Sequence, residues 1–100
     1  ELLAFVFSIH VFRPILEELV FRGLIFQSIA AKYGLILGVV FSSAGFAVIH
    51  SGLEFSPVLA FLFGVVSCCL VYFSRGMAAS FSFHITYNSL ITIFGFLRGA

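Results

Sequence analysis

The chain has 100 residues, of which 62% are hydrophobic and 9% charged, with a net charge of +1 and a mean hydropathy of +1.24. A soluble domain carries about 25% charged residues, so this chain lacks the polar surface to cover itself in water, and membrane embedding follows. With a net charge of +1 and no basic run, a nucleic-acid partner is excluded.

The opening ELLAFVFS has neither an initiator Met nor a basic n-region, so it does not begin like a signal peptide. It reads as cut from the middle of a longer polytopic protein, with residues 1–100 as a single membrane-embedded domain. Residues 2–12 have the character of a spanning helix, which Arg13-Pro14 is expected to break, with proline seated in the first turn of the next helix. That second helix covers 14–31 and closes at Lys32-Tyr33-Gly34. A third covers 35–50, where Gly38, Ser42, Ser43 and Gly45 allow close helix packing. Residues 51–56 form a loop carrying Glu54, and Pro57 opens a fourth helix running to about Phe73. Adjacent Cys68 and Cys69 point about 100° apart on that helix and read as free thiols. Ser74-Arg75-Gly76 is a tight turn before a fifth helix over 77–97. The second and fifth helices reach the roughly 20 residues a span requires, and the other two fall slightly short. Strands are disfavoured, because a lipid-exposed sheet edge would leave backbone groups unpaired. The expected fold is all-α: a polytopic transmembrane bundle of four to five helices in this stretch. Lys32 and Arg75 gather on one side of it and Arg13, Arg98 and Glu54 on the other, which fixes no orientation.

Ionisable residues inside spanning segments are expensive and point to function. Here they are Glu17, Glu18, Arg22, His50 and His84, to which the polar amide of Asn88 is added as a candidate. Glu18 and Arg22 are i,i+4 and form an ion pair on one helical face, which leaves Glu17 pointing elsewhere. Phe46 and His50 share a stripe, as do His84 and Asn88. Antiparallel packing returns Glu17, Glu18 and His50 to one side of the membrane. His84, about 10 Å into the fifth helix, and Asn88, about 6 Å further, approach that level from the opposite direction. Two carboxylates, two imidazoles and an amide thus converge on one buried site.

Desolvation makes a carboxylate a stronger base, a neighbouring His can share a water with it, and a second His with an Asn can donate to a developing oxyanion. This is an amide-hydrolysis set without a nucleophilic side chain. The same groups could instead hold zinc through Glu17, His50 and His84, with one open position. The chain has no Asp, no HExxH and no GxSxG, so an aspartyl dyad, the helical zinc-protease motif and a serine elbow are all absent.

The stretches PILEELVFRG (14–23), FAVIH (46–50) and HITYN (84–88) resemble the CPBP family of intramembrane proteases, the CAAX prenyl protease and bacteriocin-processing group also called Abi proteins. The family's motifs EExxxR, FxxxH and HxxxN are matched in order by Glu17-Glu18…Arg22, Phe46…His50 and His84…Asn88, and the likeness covers about residues 12–95. The resemblance implies an all-α membrane fold and endopeptidase activity. It also implies roles: Glu17 as the base that activates water with help from His50, Glu18 paired with Arg22, and His84 with Asn88 as the oxyanion hole. Members are described both as metalloproteases and as glutamate-dependent proteases. The glutamate form, with no metal, is favoured here because Asn is a poor zinc ligand and a good oxyanion donor. The expected partners are membrane lipid and a peptide or protein substrate, including a prenylated C-terminal tail, in a multi-pass protein of a bacterial plasma membrane.

Structural alternatives stand beside these roles. Glu17, Glu18 and Arg22 could be an interfacial ion cluster, His50 a helix-end residue, and His84 with Asn88 interhelical hydrogen-bond glue. His10, outside every motif, reads as structural, Arg13 as an interfacial anchor, and Glu54 as a solvated loop charge. Phe21 and Phe46 are candidates to wall the site. The competing function is a non-enzymatic membrane protein of the same fold, a transporter using the Glu/His/Arg chain or a bacteriocin-immunity protein.

Overall fold

A computed structural model describes residues 1–50 and 56–99, so most of the expected 51–56 loop, with Glu54, lies outside the described residues. Among those described, the structure is helical throughout, with no strand. We number its helices α1 (residues 2–33), α2 (Leu35–Ile49), α3 (Pro57–Ser74) and α4 (Ala78–Gly99).

Helix α1 corrects one expectation: Arg13-Pro14 does not break it. Phe12 and Arg13 keep right-handed helical dihedrals, and Leu2–Phe7 continues through Ser8–Phe12 into Arg13–Glu18. The reason lies in a local change of winding. Over Ser8–Phe12 the helix widens to i→i+5 bonding, with the Arg13 N–H donating to the Ser8 carbonyl. A proline inside a tight helix lacks a donor and clashes with the preceding turn; widened winding just before Pro14 gives its ring room. Widening recurs over Leu19–Ile25, where the Phe26 N–H reaches the Phe21 carbonyl. That carbonyl also accepts the Ser42 hydroxyl of α2 at 2.8 Å, so the altered turn is pinned from outside. Two widened turns therefore flank Arg13–Glu18, the turn that carries both glutamates.

The helices run up and down. Gly34, at φ 102°, turns α1 into α2, a conformation costly for any residue with a Cβ. At Gly64 of α3, a Cβ would lie 2.9 Å from the Ser43 Cα of α2, so only hydrogen permits this approach. The Ser56 side chain caps α3 by accepting from the Leu59 N–H at 3.1 Å, with Pro57 in the first turn. Arg75 ends α3 in the left-handed conformation, and α4 returns against the first half of α1. There His10 ties the two helices together: Nδ1 donates to the Val6 carbonyl at 3.1 Å, so Nε2 accepts the Thr92 hydroxyl at 2.9 Å.

The interior mixes polar groups with aromatic ones, and the outer surface is largely apolar. Glu18, Arg22, Ser42, Ser43, Ser67, Ser80, His50 and His84 are buried, whereas Leu2, Phe5, Ile36, Val48, Phe73 and Phe96 are exposed. Lipid tolerates that exposure and water does not. Among the described residues α3 is the helix both long and apolar enough to cross a membrane; α2 is apolar but shorter. The fifth expected helix, now α4, has the length, but its His, Asn, Ser and Thr residues dilute its hydropathy. Cys68 is buried and Cys69 exposed, and both are free.

Candidate active site

The site assembles where the Glu17-Glu18 turn of α1, the end of α2 and the first two turns of α4 meet. Glu17 lies between two imidazoles: His50 Nε2 is 3.3 Å from one carboxylate oxygen and His84 Nε2 is 3.3 Å from the other. Glu18 is held by three groups. His84 Nδ1 lies 2.6 Å from Oε2, Arg22 Nη1 lies 3.4 Å from the same oxygen, and the Ser80 hydroxyl donates to Oε1. Adjacent in sequence, the two acids are unlike in exposure. The Glu18 side chain is 0% exposed and the Glu17 side chain 22%. A water or a substrate can reach Glu17 only.

The hydrogen bonds constrain where protons sit. His50 Nδ1 is 2.8 Å from the Phe46 carbonyl, which only accepts, so Nδ1 carries hydrogen and Nε2 is the nitrogen offered to Glu17. In His84, Nδ1 donates to the sealed carboxylate of Glu18, again leaving Nε2 for Glu17. Each Nε2–Glu17 contact becomes a hydrogen bond only when a proton lies between them. Glu17 and the two rings thus form a set poised to take up and pass on a proton.

Aromatic rings fix this set. Phe46 stacks on His50 with centroids 4.1 Å apart and on Phe63 at 5.2 Å, and Phe63 meets His84 edge-on at 4.8 Å. Arg22 places its guanidinium carbon 4.6 Å from the Phe46 ring centre, a cation–π contact in an enclosed site. Phe21 meets the same ring edge-on at 5.5 Å. The rings pack against both imidazoles, face-on to His50 and edge-on to His84.

The structure thus brings together Glu17, Glu18, Arg22, His50 and His84. Asn88 lies one turn beyond His84 on α4, half-buried, with no hydrogen bond to this cluster among the described residues. Ser80 escapes a motif-based reading, although it sits at i−4 from His84 and completes a Ser80-His84-Asn88 stripe on one helix face. Phe63 is likewise unmarked, because its role comes only from the packing of α3. Among the described residues no three His, Cys, Asp or Glu side chains converge as a metal site. Their donor atoms meet each other in pairs.

The buried centre of this all-helical bundle is two carboxylates bridged by the His84 imidazole. Residues 1–90 match the model of the Rce1-like type II CAAX prenyl endopeptidases, and the chain belongs to that family of membrane proteases. It is 31% identical over 100 residues to the membrane-embedded CAAX protease MroQ of Staphylococcus aureus (strain USA300). The match covers 94% of this chain and 40% of MroQ. No solved structure matches the chain.

Proposed function

We propose that this chain is the catalytic core of a multi-pass intramembrane endopeptidase that hydrolyses a peptide bond with water activated by Glu17. The observation that carries the reading is the contrast within the glutamate pair: Glu18 is sealed and fully engaged, whereas Glu17 is open and flanked by two Nε2 atoms at 3.3 Å. Glu17 takes a proton from a bound water as the water oxygen attacks the scissile carbonyl carbon. His50, oriented by the Phe46 carbonyl, shares that proton through Nε2. The carbonyl π electrons move onto oxygen, and the oxyanion accepts hydrogen bonds from the Asn88 amide of α4 and from His84 once its Nε2 carries a proton. Collapse expels the amine, which leaves with the proton held by Glu17 and His50. No step is routed through a metal.

The substrate class this supports is a peptide or protein presented at the membrane, with a prenylated C-terminal tail as the first candidate, because a lipid chain suits entry between lipid-exposed helices. MroQ, a membrane-embedded CAAX protease of a bacterium, supports a bacterial plasma membrane as the location. The test is cleavage of a farnesylated CaaX peptide and a panel of membrane peptides by the intact protein in detergent. Wild type, Glu17→Gln and His50→Ala are compared with and without a strong chelator. Cleavage lost in both variants and kept under chelation supports the reading. Loss under chelation with recovery on added zinc replaces it with a metal site at Glu17, His50 and His84. An unaltered rate in Glu17→Gln refutes it.

A further inference from the structure

Of the buried serines that the mechanism leaves unused, Ser80 is the one bonded to the glutamate pair. Ser80 is 0% exposed, and its hydroxyl donates to Glu18 Oε1, the oxygen not taken by His84 or Arg22. No solvent can replace it there. The His84 ring contacts both acids and so links the sealed Glu18 to the open Glu17. Ser80, Glu18, His84 and Glu17 form a chain from the sealed end of the site to the open end.

The geometry points to Ser80 as a positioning residue: by fixing the Glu18 carboxylate it holds His84 with Nδ1 as donor and Nε2 aimed at Glu17. This rests on the hydrolytic reading for its consequence in catalysis, and on the hydrogen-bond chain alone for its consequence in His84. Besides Arg22 of α1, the donors to Glu18 come from one face of α4, one turn apart, so Ser80 and His84 act on the carboxylate as a two-point clamp. With the hydroxyl gone, the carboxylate pivots about its remaining partners on Oε2. The ring it orients then loses its fixed direction. Outer groups that orient a site's reacting residues are worth about 10–100-fold in activity.

The experiment has two arms on the intact protein in micelles. The first reads the His84 Nδ1 proton by NMR with labelled histidine. A downfield resonance is expected in wild type, since the contact to Glu18 is short. It should move upfield or vanish in Ser80→Ala and persist in Ser80→Thr, which keeps the hydroxyl. The second arm measures turnover of a farnesylated CaaX peptide. Ser80→Ala should lower kcat about 10–100-fold with KM within about 2-fold, and should cost little further in a Glu18→Gln background, where the group it acts through is already altered. Should Ser80→Ala fail to fold, Ser80→Cys, of similar size and a weak donor, takes its place with an intermediate loss expected. An unmoved resonance, or equal losses in the wild-type and Glu18→Gln backgrounds, overturns the proposal. Glu17→Gln separates the two readings: if it cleaves at the wild-type rate the hydrolytic mechanism fails, while the NMR arm still decides Ser80.

Discussion

Arg22 is the residue whose loss the structure prices most directly. Its guanidinium and the Glu18 carboxylate are both 0% exposed and 3.4 Å apart. At an effective dielectric of about 20 the gross attraction at that distance is about 5 kcal/mol. The cation–π contact with Phe46 at 4.6 Å adds about 1–2 kcal/mol in an enclosed site. Replacing Arg22 by Met fills similar space but leaves a buried carboxylate with only Ser80 and His84 as donors. Breaking a buried pair on one side costs about 3–5 kcal/mol, because the charge left behind is uncompensated. The double variant Arg22→Met with Glu18→Gln removes both charges and should recover most of that loss. The assay is reversible unfolding in mixed micelles across the four-member cycle, where a coupling of about 2–3 kcal/mol is expected. Additive losses, or an Arg22→Met protein as stable as wild type, would refute the claim that this pair is a closed electrostatic unit.

Three further outcomes follow from the same geometry. Glu17→Gln keeps the shape of the open carboxylate and should lower kcat about 100–10,000-fold with little change in unfolding, since Glu17 is partly exposed; peptide turnover and a thermal melt read the two effects separately. Gly64→Ala places a Cβ 2.9 Å from the Ser43 Cα, so α2 and α3 must part, with a loss of about 1–3 kcal/mol in the same unfolding assay. His10→Phe removes the bond to Thr92 between α1 and α4, and about 1 kcal/mol should be lost; Thr92→Val should cost a similar amount, and the pair together no more than either alone.

Much of this molecule is legible in its sequence, because membrane helices advertise themselves by composition and their ends by Pro, Gly and short polar runs. The turns at Gly34 and at Ser74-Arg75-Gly76 and the start of α3 at Pro57 follow from local chemistry and fall where it places them. The convergence of Glu17, His50 and His84 is legible too, since helix rise and antiparallel packing place them at one depth. Pro14 is where a local rule misleads. Proline disfavours a tight helix, but widened winding over Ser8–Phe12 absorbs it, and nothing in the residue types SIHVF signals that choice. Ser80 is hidden for a different reason. Serines are common in membrane helices, and only the partner across the bundle reveals which one matters.

The adjacent glutamates make physical sense once α4 is in place. Two carboxylates on neighbouring residues repel, and on one helix they point about 100° apart, so no single partner on α1 can serve both. The His84 ring does so from across the bundle, with one nitrogen to each acid: Nδ1 at 2.6 Å to Glu18 and Nε2 at 3.3 Å to Glu17. The closer contact lies on the sealed side, where Arg22 supplies the opposite charge and Ser80 a further hydrogen bond, and the looser one on the open side. Identical side chains thereby acquire different tasks. Glu18 is sealed by its partners, and Glu17 stays accessible because the pair's second charge is paired behind it, which under the proposed mechanism frees Glu17 to act as the base. Exchanging the burdens would fail: a base at position 18 has no access to water, and a clamp at position 17 would leave the buried guanidinium of Arg22 without its anion. The order Glu-Glu-x-x-x-Arg is thus set by which face of α1 meets α4 and which meets the opening.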